Sequence, residues 1–123
     1  MNNEFSPYDQ ALELKKLGFN EECLAFYNST FRTPNELLYP QYGGEVGNWN
    51  VENHLISAPL YQQAFRWFRE KYGLCIVIKP IDDKKLELGY NLTKNGLIMS
   101  PHLTYEEAEL ACLKKLIEII KNK

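Results

Sequence analysis

Apolar positions recur along the chain at two spacings, and the switches between them mark the elements. The first helix is expected to start at Ser6 as N-cap, with Pro7 at the first helical position and Asp9 answering the cap and the dipole. Tyr8, Ala11, Leu12 and Leu14 then fall on an inward face, Gly18 closes the helix and Phe19 follows as the apolar contact after the glycine. The run Cys23-Leu24-Ala25-Phe26-Tyr27 reads as a short strand. Residues 29–53 are punctuated by Pro34, Pro40, Gly43, Gly44 and Gly47. They read as an irregular antiparallel meander, with short strands at 36–39 and around Trp49. A second helix follows, with Ser57 as N-cap and Pro59 in the first turn. Leu60, Ala64, Trp67 and Lys71 form one row on it; Tyr61, Phe65, Phe68 and Tyr72 form the next, and Gly73 ends it.

Residues 74–79 (LCIVIK) are the strongest strand signal in the chain, stopped by Pro80. Asp82-Asp83-Lys84-Lys85 is a polar turn. Leu86, Leu88, Tyr90 and Leu92 then alternate with Glu87, Gly89 and Asn91, the period of a half-buried strand. Asn95-Gly96 signals a hairpin into a third strand at Leu97-Ile98-Met99. The last helix opens on a capping box, Thr104 at N-cap and Glu107 at N3. Its expected core face is Ala108, Ala111, Cys112, Leu116, Ile119 and Ile120, with acids leading and lysines ending it. The expected fold class is α+β: an antiparallel sheet of three to six strands, with two or three helices packed mainly on one face. From residue 57 onward the expected order is helix, strand, strand, strand, helix.

Composition narrows the class. The 123 residues are 45% hydrophobic and 24% charged, with net charge -2, and include two Trp, eight Tyr and six Phe. That is the makeup of one globular domain over residues 1–123, too aromatic to be disordered. No apolar run is long enough to span a membrane. Residues 1–5 show no basic region leading into an apolar stretch, so no signal peptide is expected. Cys23, Cys75 and Cys112 are odd in number and widely spaced, which suits three buried thiols in a reducing cytoplasm.

Two long segments, SAPLYQQAFRWFREKYGL at 57–74 and TYEEAELACLKKLIE at 104–118, together with ALELKKLGF at 11–19, carry a resemblance. The chain resembles a family of short uncharacterised proteins of gut anaerobic bacteria and of their phages and mobile elements. The resemblance covers both ends of the chain and implies an intracellular bacterial or phage origin. It implies no activity and no binding residues.

Candidate chemistry is sparse. The helix–three strands–helix order is also that of double-stranded RNA-binding domains, a likeness at the level of fold alone. Such domains place basic residues at the start of the last helix to meet phosphates, where this chain has Glu106, Glu107 and Glu109. Residues 1–56 carry 3 basic and 8 acidic groups, net -5, while residues 57–123 carry 11 basic and 8 acidic groups, net +3. The second part is mildly basic, with Arg66, Arg69 and Lys71 on one helix, short of the excess usual in nucleic-acid-binding domains. His54 and His102 sit in loops, Cys75 falls inside a strand where a thiol is inert, and Ser57 beside His54 has its simpler role as a cap. No spaced Cys/His set or paired acids suggest a metal, and Gly43-Gly44-Glu45-Val46-Gly47 lacks the Gly-Lys-Ser/Thr end of a phosphate loop.

These readings give no catalytic residue, no metal ligand and no cofactor. The remaining signal is the aromatic helix. Most of its rings belong in a core, but Tyr61 and Trp67 beside Arg66 and Arg69 have the makeup of a protein interface if that row is exposed. The expected function is therefore a non-enzymatic, cytoplasmic interaction or adaptor module that binds a protein partner or forms a homodimer. The alternative is a nucleic-acid-binding module.

Overall fold

The computed structural model describes residues 4–40, 46–74, 76–82, 85–92, 96–98 and 105–122; of 76–98 and Tyr105 only the backbone is described. It divides into two compact units, residues 1–60 and 61–123. The class is α+β.

The first unit holds helix α1 (Tyr8–Lys16), strand β1 (Ala25–Asn28), a 3-10 turn (Trp49–Val51) and strand β2 (Leu55–Ala58). β1 and β2 pair antiparallel, Ala25 opposite Ala58 and Asn28 opposite Leu55. α1 ends as its sequence requires. Gly18 adopts φ 94°, its N–H donates to Lys15 O, and Phe19 N–H reaches back to Leu14 O. This doubly bonded C-cap needs a left-handed residue, which glycine supplies without a Cβ clash. Ala11 is fully buried with Phe5, Ala25, Tyr27, Ile56 and Ala58, and Tyr8, Leu12 and Leu37 pack against that cluster.

Two capping expectations fail for one reason: nearby chain outcompetes local capping. Ser6 is not an N-cap. Pro7 occupies that position with no side-chain cap. Ser6 is instead buried, its N–H and Oγ–H both donating to Pro59 O at 2.8 and 2.9 Å. Ser57 does not cap the second helix either. It lies in β2, and its Oγ accepts from Trp49 N at 3.0 Å. The segment around Trp49 is a 3-10 turn rather than a strand, and 36–39 contributes only an isolated bridge from Leu38 to Phe26.

The second unit holds α2 (Tyr61–Tyr72), β3 (Ile76–Asp82), β4 (Lys85–Leu92), β5 (Gly96–Ile98) and α3 (Tyr105–Lys121). Its strands run antiparallel in the order β3-β4-β5. Pro80 does not stop β3. The strand continues to Asp82 with Pro80 opposite Leu88 and a register shift just after it. β3 lies at the sheet's edge, where a residue lacking an N–H leaves no ladder bond unmade. α2 begins at Tyr61, later than expected, and Gly73 at φ 70° ends it with its N–H on Arg69 O. The Thr104 cap, the Asn95 turn position and Met99 lie outside the described residues.

α3 buries Ala108, Cys112, Leu113, Leu116 and Ile117, while Ala111, Ile119 and Ile120 are only half-buried. The expected face is therefore turned towards Leu113 and Ile117.

Candidate functional site

The four residues singled out on α2 separate. Tyr61 and Trp67 are buried, at 4% and 5% exposure, whereas Arg66 and Arg69 are exposed. The rings are committed to one another. Trp67 stands edge-on to Phe68 and Tyr72, with centroids 5.0 and 5.6 Å away, and Tyr61 lies 6.1 Å from Phe65. Lys71 folds its ammonium over Trp67 at 5.0 Å and Tyr72 at 5.6 Å. The cation completes an aromatic cluster instead of extending an open one. The exposed aromatic-plus-arginine row is thus corrected: α2 offers solvent its arginines without their rings.

The acidic start of α3 also needs correction. Glu106 and Glu107 face solvent, but Glu109 is buried at 8% exposure and accepts from Gln62 Nε2 at 3.2 Å. A carboxylate takes such a position only with hydrogen-bonding partners. One turn on, burial pushes the Cys112 thiol up to about 12, with the charge of Glu109 adding to the rise. Such a thiol is protonated at neutral pH and is a poor nucleophile. Cys23 is likewise buried, outside any disulfide, its Sγ directed at Glu21 O. Cys75, His102, Asp83, Gly43 and Gly44 lie outside the described residues.

The first unit presents what α2 withdraws. Leu24, Phe31, Tyr39, Val46, Val51 and Leu60 are large apolar side chains between 41% and 74% exposed. The backbone places some of them together. Leu24 and Val46 follow on the same side of the antiparallel Cys23–Gly47 bridge, one on each segment. Tyr39 meets the Phe5 ring edge-on at 5.9 Å, and Phe5 is bridged to Leu60. Phe31, Tyr39, Val46 and Val51 fall in the turn-rich 29–53 stretch, where no sustained periodicity marks them, while Leu24 and Leu60 sat in patterns read as a strand and a helix row.

Two further arrangements hold this surface. Asn50 sits between chain segments, its Nδ2–H donating to Phe19 O at 2.9 Å and its Oδ1 accepting from Ser57 N at 2.8 Å. Its neighbour Trp49 donates Nε1–H to Cys23 O at 2.9 Å and stacks at 4.6 Å on Phe26. Burial also raises the Tyr27 hydroxyl to about 12, with Tyr39 adding to the shift, and that hydroxyl donates to Ser6 O at 2.7 Å.

The charge split falls on the unit boundary, because residues 57–60 carry no charge: the first unit is net -5 and the second net +3. Among the described residues no group of three or more His, Cys, Asp or Glu is arranged to hold a metal ion. Nor is any helix long and apolar enough to cross a membrane. His54 is exposed in the turn before β2, its carbonyl held by Ser29, while the Ser57 hydroxyl is buried against Trp49 N. No protein-family model, curated protein or solved structure matches the chain.

Proposed function

We propose that the protein is a non-enzymatic interaction module, a single domain over residues 1–123, that works in the cytoplasm of a bacterium or its phage. It engages a protein partner or a second copy of itself. The observation that supports this reading is the set of exposed apolar side chains on the acidic first unit, Leu24, Phe31, Tyr39, Val46, Val51 and Leu60. Single exposed apolar residues are ordinary, but neighbouring ones are a feature of docking surfaces. The Leu24/Val46 and Tyr39/Leu60 neighbourhoods are such groupings. In this reading the interface lies on the first unit, not on α2.

The test is a pair of chains, wild type and Leu24→Lys/Val46→Lys, compared by sedimentation over a concentration series and by cross-linking mass spectrometry in a bacterial lysate. Self-association or one reproducible cross-linked partner is expected for the wild type and is lost in the variant, whose circular dichroism stays unchanged. Equal behaviour of the two chains refutes the assignment.

A nucleic-acid-binding reading retains one favouring observation. Arg66 and Arg69 are exposed on α2 in a unit of net charge +3, and Glu109 does not face solvent. In that reading the second unit keeps the helix–three strands–helix order with both helices on one sheet face. Salt-sensitive retention on double-stranded RNA, lost in Arg66→Ala/Arg69→Ala, would support it; no retention at low salt would eliminate it.

A further inference from the structure

The turn between the 3-10 segment and β2 turns three of four consecutive carbonyls towards one point. Glu52 O, Asn53 O and Leu55 O lie 2.7, 3.2 and 2.7 Å from Lys15 Nζ, at the end of α1. The fourth carbonyl, of His54, turns the other way and accepts from Ser29 N at 2.9 Å and Ser29 Oγ at 3.2 Å. Three acceptors around one nitrogen match the three N–H donors that only the protonated amine has. The carbonyls come from residues close together in sequence, whereas the cation comes from a residue 37 to 40 positions away. Glu52 O also accepts from Leu55 N at 3.3 Å; carbonyl dipoles converging on one point repel one another, and a positive charge at their focus offsets that repulsion.

We infer that the carbonyls of Glu52, Asn53 and Leu55 form a monovalent-cation niche, which the Lys15 ammonium fills as a tethered ligand. The chemistry it takes is a primary ammonium or an alkali ion of similar size. Ring carbonyls that replace a hydration shell select cations in this way in channel filters. The donor set, three neutral carbonyls with no carboxylate, suits a monovalent cation better than the common divalent ions. Calcium sits about 2.3–2.6 Å from its oxygens and magnesium about 2.0–2.1 Å, and both favour charged carboxylate ligands. Lys15 is thereby a positioning residue. It fixes the turn that carries Val51 and Glu52 on one side and leads into β2 on the other. The inference does not depend on what the exposed surface binds.

The variant Lys15→Met removes the charge and ends one atom short of the Nζ position, which leaves the focus of the carbonyls open to an added cation. Its thermal midpoint, followed by far-ultraviolet circular dichroism, is compared with wild type in potassium, ammonium, lithium and tetramethylammonium chlorides at equal ionic strength. The midpoint of Lys15→Met is expected to fall in tetramethylammonium and to recover by about half or more in potassium and ammonium. The wild-type midpoint should be the same in all four salts. Equal midpoints for Lys15→Met in the four salts overturn the niche, as does a wild type that responds as the variant does. If Lys15→Met does not fold in any salt, the wild type decides alone. Its Lys15 ammonium protons should be visible and slow to exchange in a proton–nitrogen correlation spectrum at neutral pH, whereas an ammonium exchanging like the solvent-exposed lysines overturns the inference.

Discussion

Asn50 is the residue whose loss the first unit should feel most for its size. Its side-chain amide joins three segments: it receives the Ser57 N–H of β2, donates to the Phe19 carbonyl that follows α1, and sits within the 3-10 turn. The partners fix which end is which, since an N–H must meet the oxygen and a carbonyl must meet the nitrogen. Asn50→Ala removes both bonds. Ser57 is fully buried and Phe19 nearly so, so neither orphaned group gains water in exchange. A buried donor left unmade costs about 1–3 kcal/mol, and a lost neutral hydrogen bond about 1 kcal/mol. The expected loss is therefore about 3 kcal/mol. For a domain of this size each kcal/mol moves the midpoint by roughly 4 °C, which gives a fall of roughly 12 °C. That is a large share of the stability a small domain has.

The assay combines urea unfolding, followed by far-ultraviolet circular dichroism, with hydrogen exchange at the Ser57 amide. Fluorescence is less suitable because Trp49 and Trp67 report on different units. Asn53→Ala is the control. Asn53 is exposed a few residues on in the same turn and contributes its carbonyl to Lys15, so truncating its side chain should change stability by less than about 0.5 kcal/mol. A loss below about 1 kcal/mol for Asn50→Ala, with the Ser57 amide as slow to exchange as before, would refute the reasoning. It would mean that water or a shifted backbone replaces the amide at no cost.

Other consequences follow from the same structure. Tyr27 has its hydroxyl raised from 10 to about 12, so its stabilising contribution is complete below pH 10 and is lost as pH rises towards 12. The loss is on the order of 2 kcal/mol across that window, and alkaline unfolding of Tyr27→Phe should lack it; an unchanged alkaline limb would contradict this. On α3, Leu113→Ala and Leu116→Ala should each destabilise by about 2–5 kcal/mol, with Ile120→Ala costing clearly less. A cost below about 1 kcal/mol for Leu113→Ala in thermal unfolding would show that the helix face is misassigned.

Elements with their own internal signal were legible in the sequence. Gly18 and Gly73 end helices because a left-handed residue is a local requirement, readable wherever a glycine follows an apolar face. Capping serines were not legible. Ser6 and Ser57 each precede a helical pattern and look like caps, yet their hydroxyls serve Pro59 O and Trp49 N. What decides between these roles is a partner 53 positions away in one case and 8 in the other, and no spacing or periodicity in the sequence marks either contact. The short strand 55–58 was hidden for the same reason: four residues without alternation become a strand only because β1 lies beside them. On α3 the difficulty was the reverse. Apolar residues occupy 108, 110–113, 116, 117, 119 and 120, more than one face can bury, so periodicity left the choice of stripe open and tertiary packing made it. The candidate site suffered most. A row of rings beside arginines is the composition of an interface and of a core alike, and the rings of Trp67, Phe68 and Tyr72 are close enough to satisfy one another.

The charge of the first unit has a consequence for whatever it meets. Its cations are Lys15, Lys16 and Arg32. Lys15 faces backbone carbonyls, and Lys16 lies 3.8 Å from Glu13 in an exposed pair of little energetic weight. Arg32 is exposed beside Phe31, but with three cations against eight acids the net charge of -5 sets the sign of the unit's field. Apolar contact is short-ranged and indifferent to salt, whereas this field reaches about 10 Å at 0.1 M ionic strength and weakens as salt rises. A partner for the surface then has two separable requirements: apolar side chains that desolvate the exposed leucine, valine and aromatic groups, and a positive fringe that speeds encounter. Raising salt should slow association and leave dissociation nearly unchanged, because long-range charge acts on encounter and short-range apolar contact on residence. An association rate insensitive to salt would place the interface away from the first unit, whatever its apolar residues suggest.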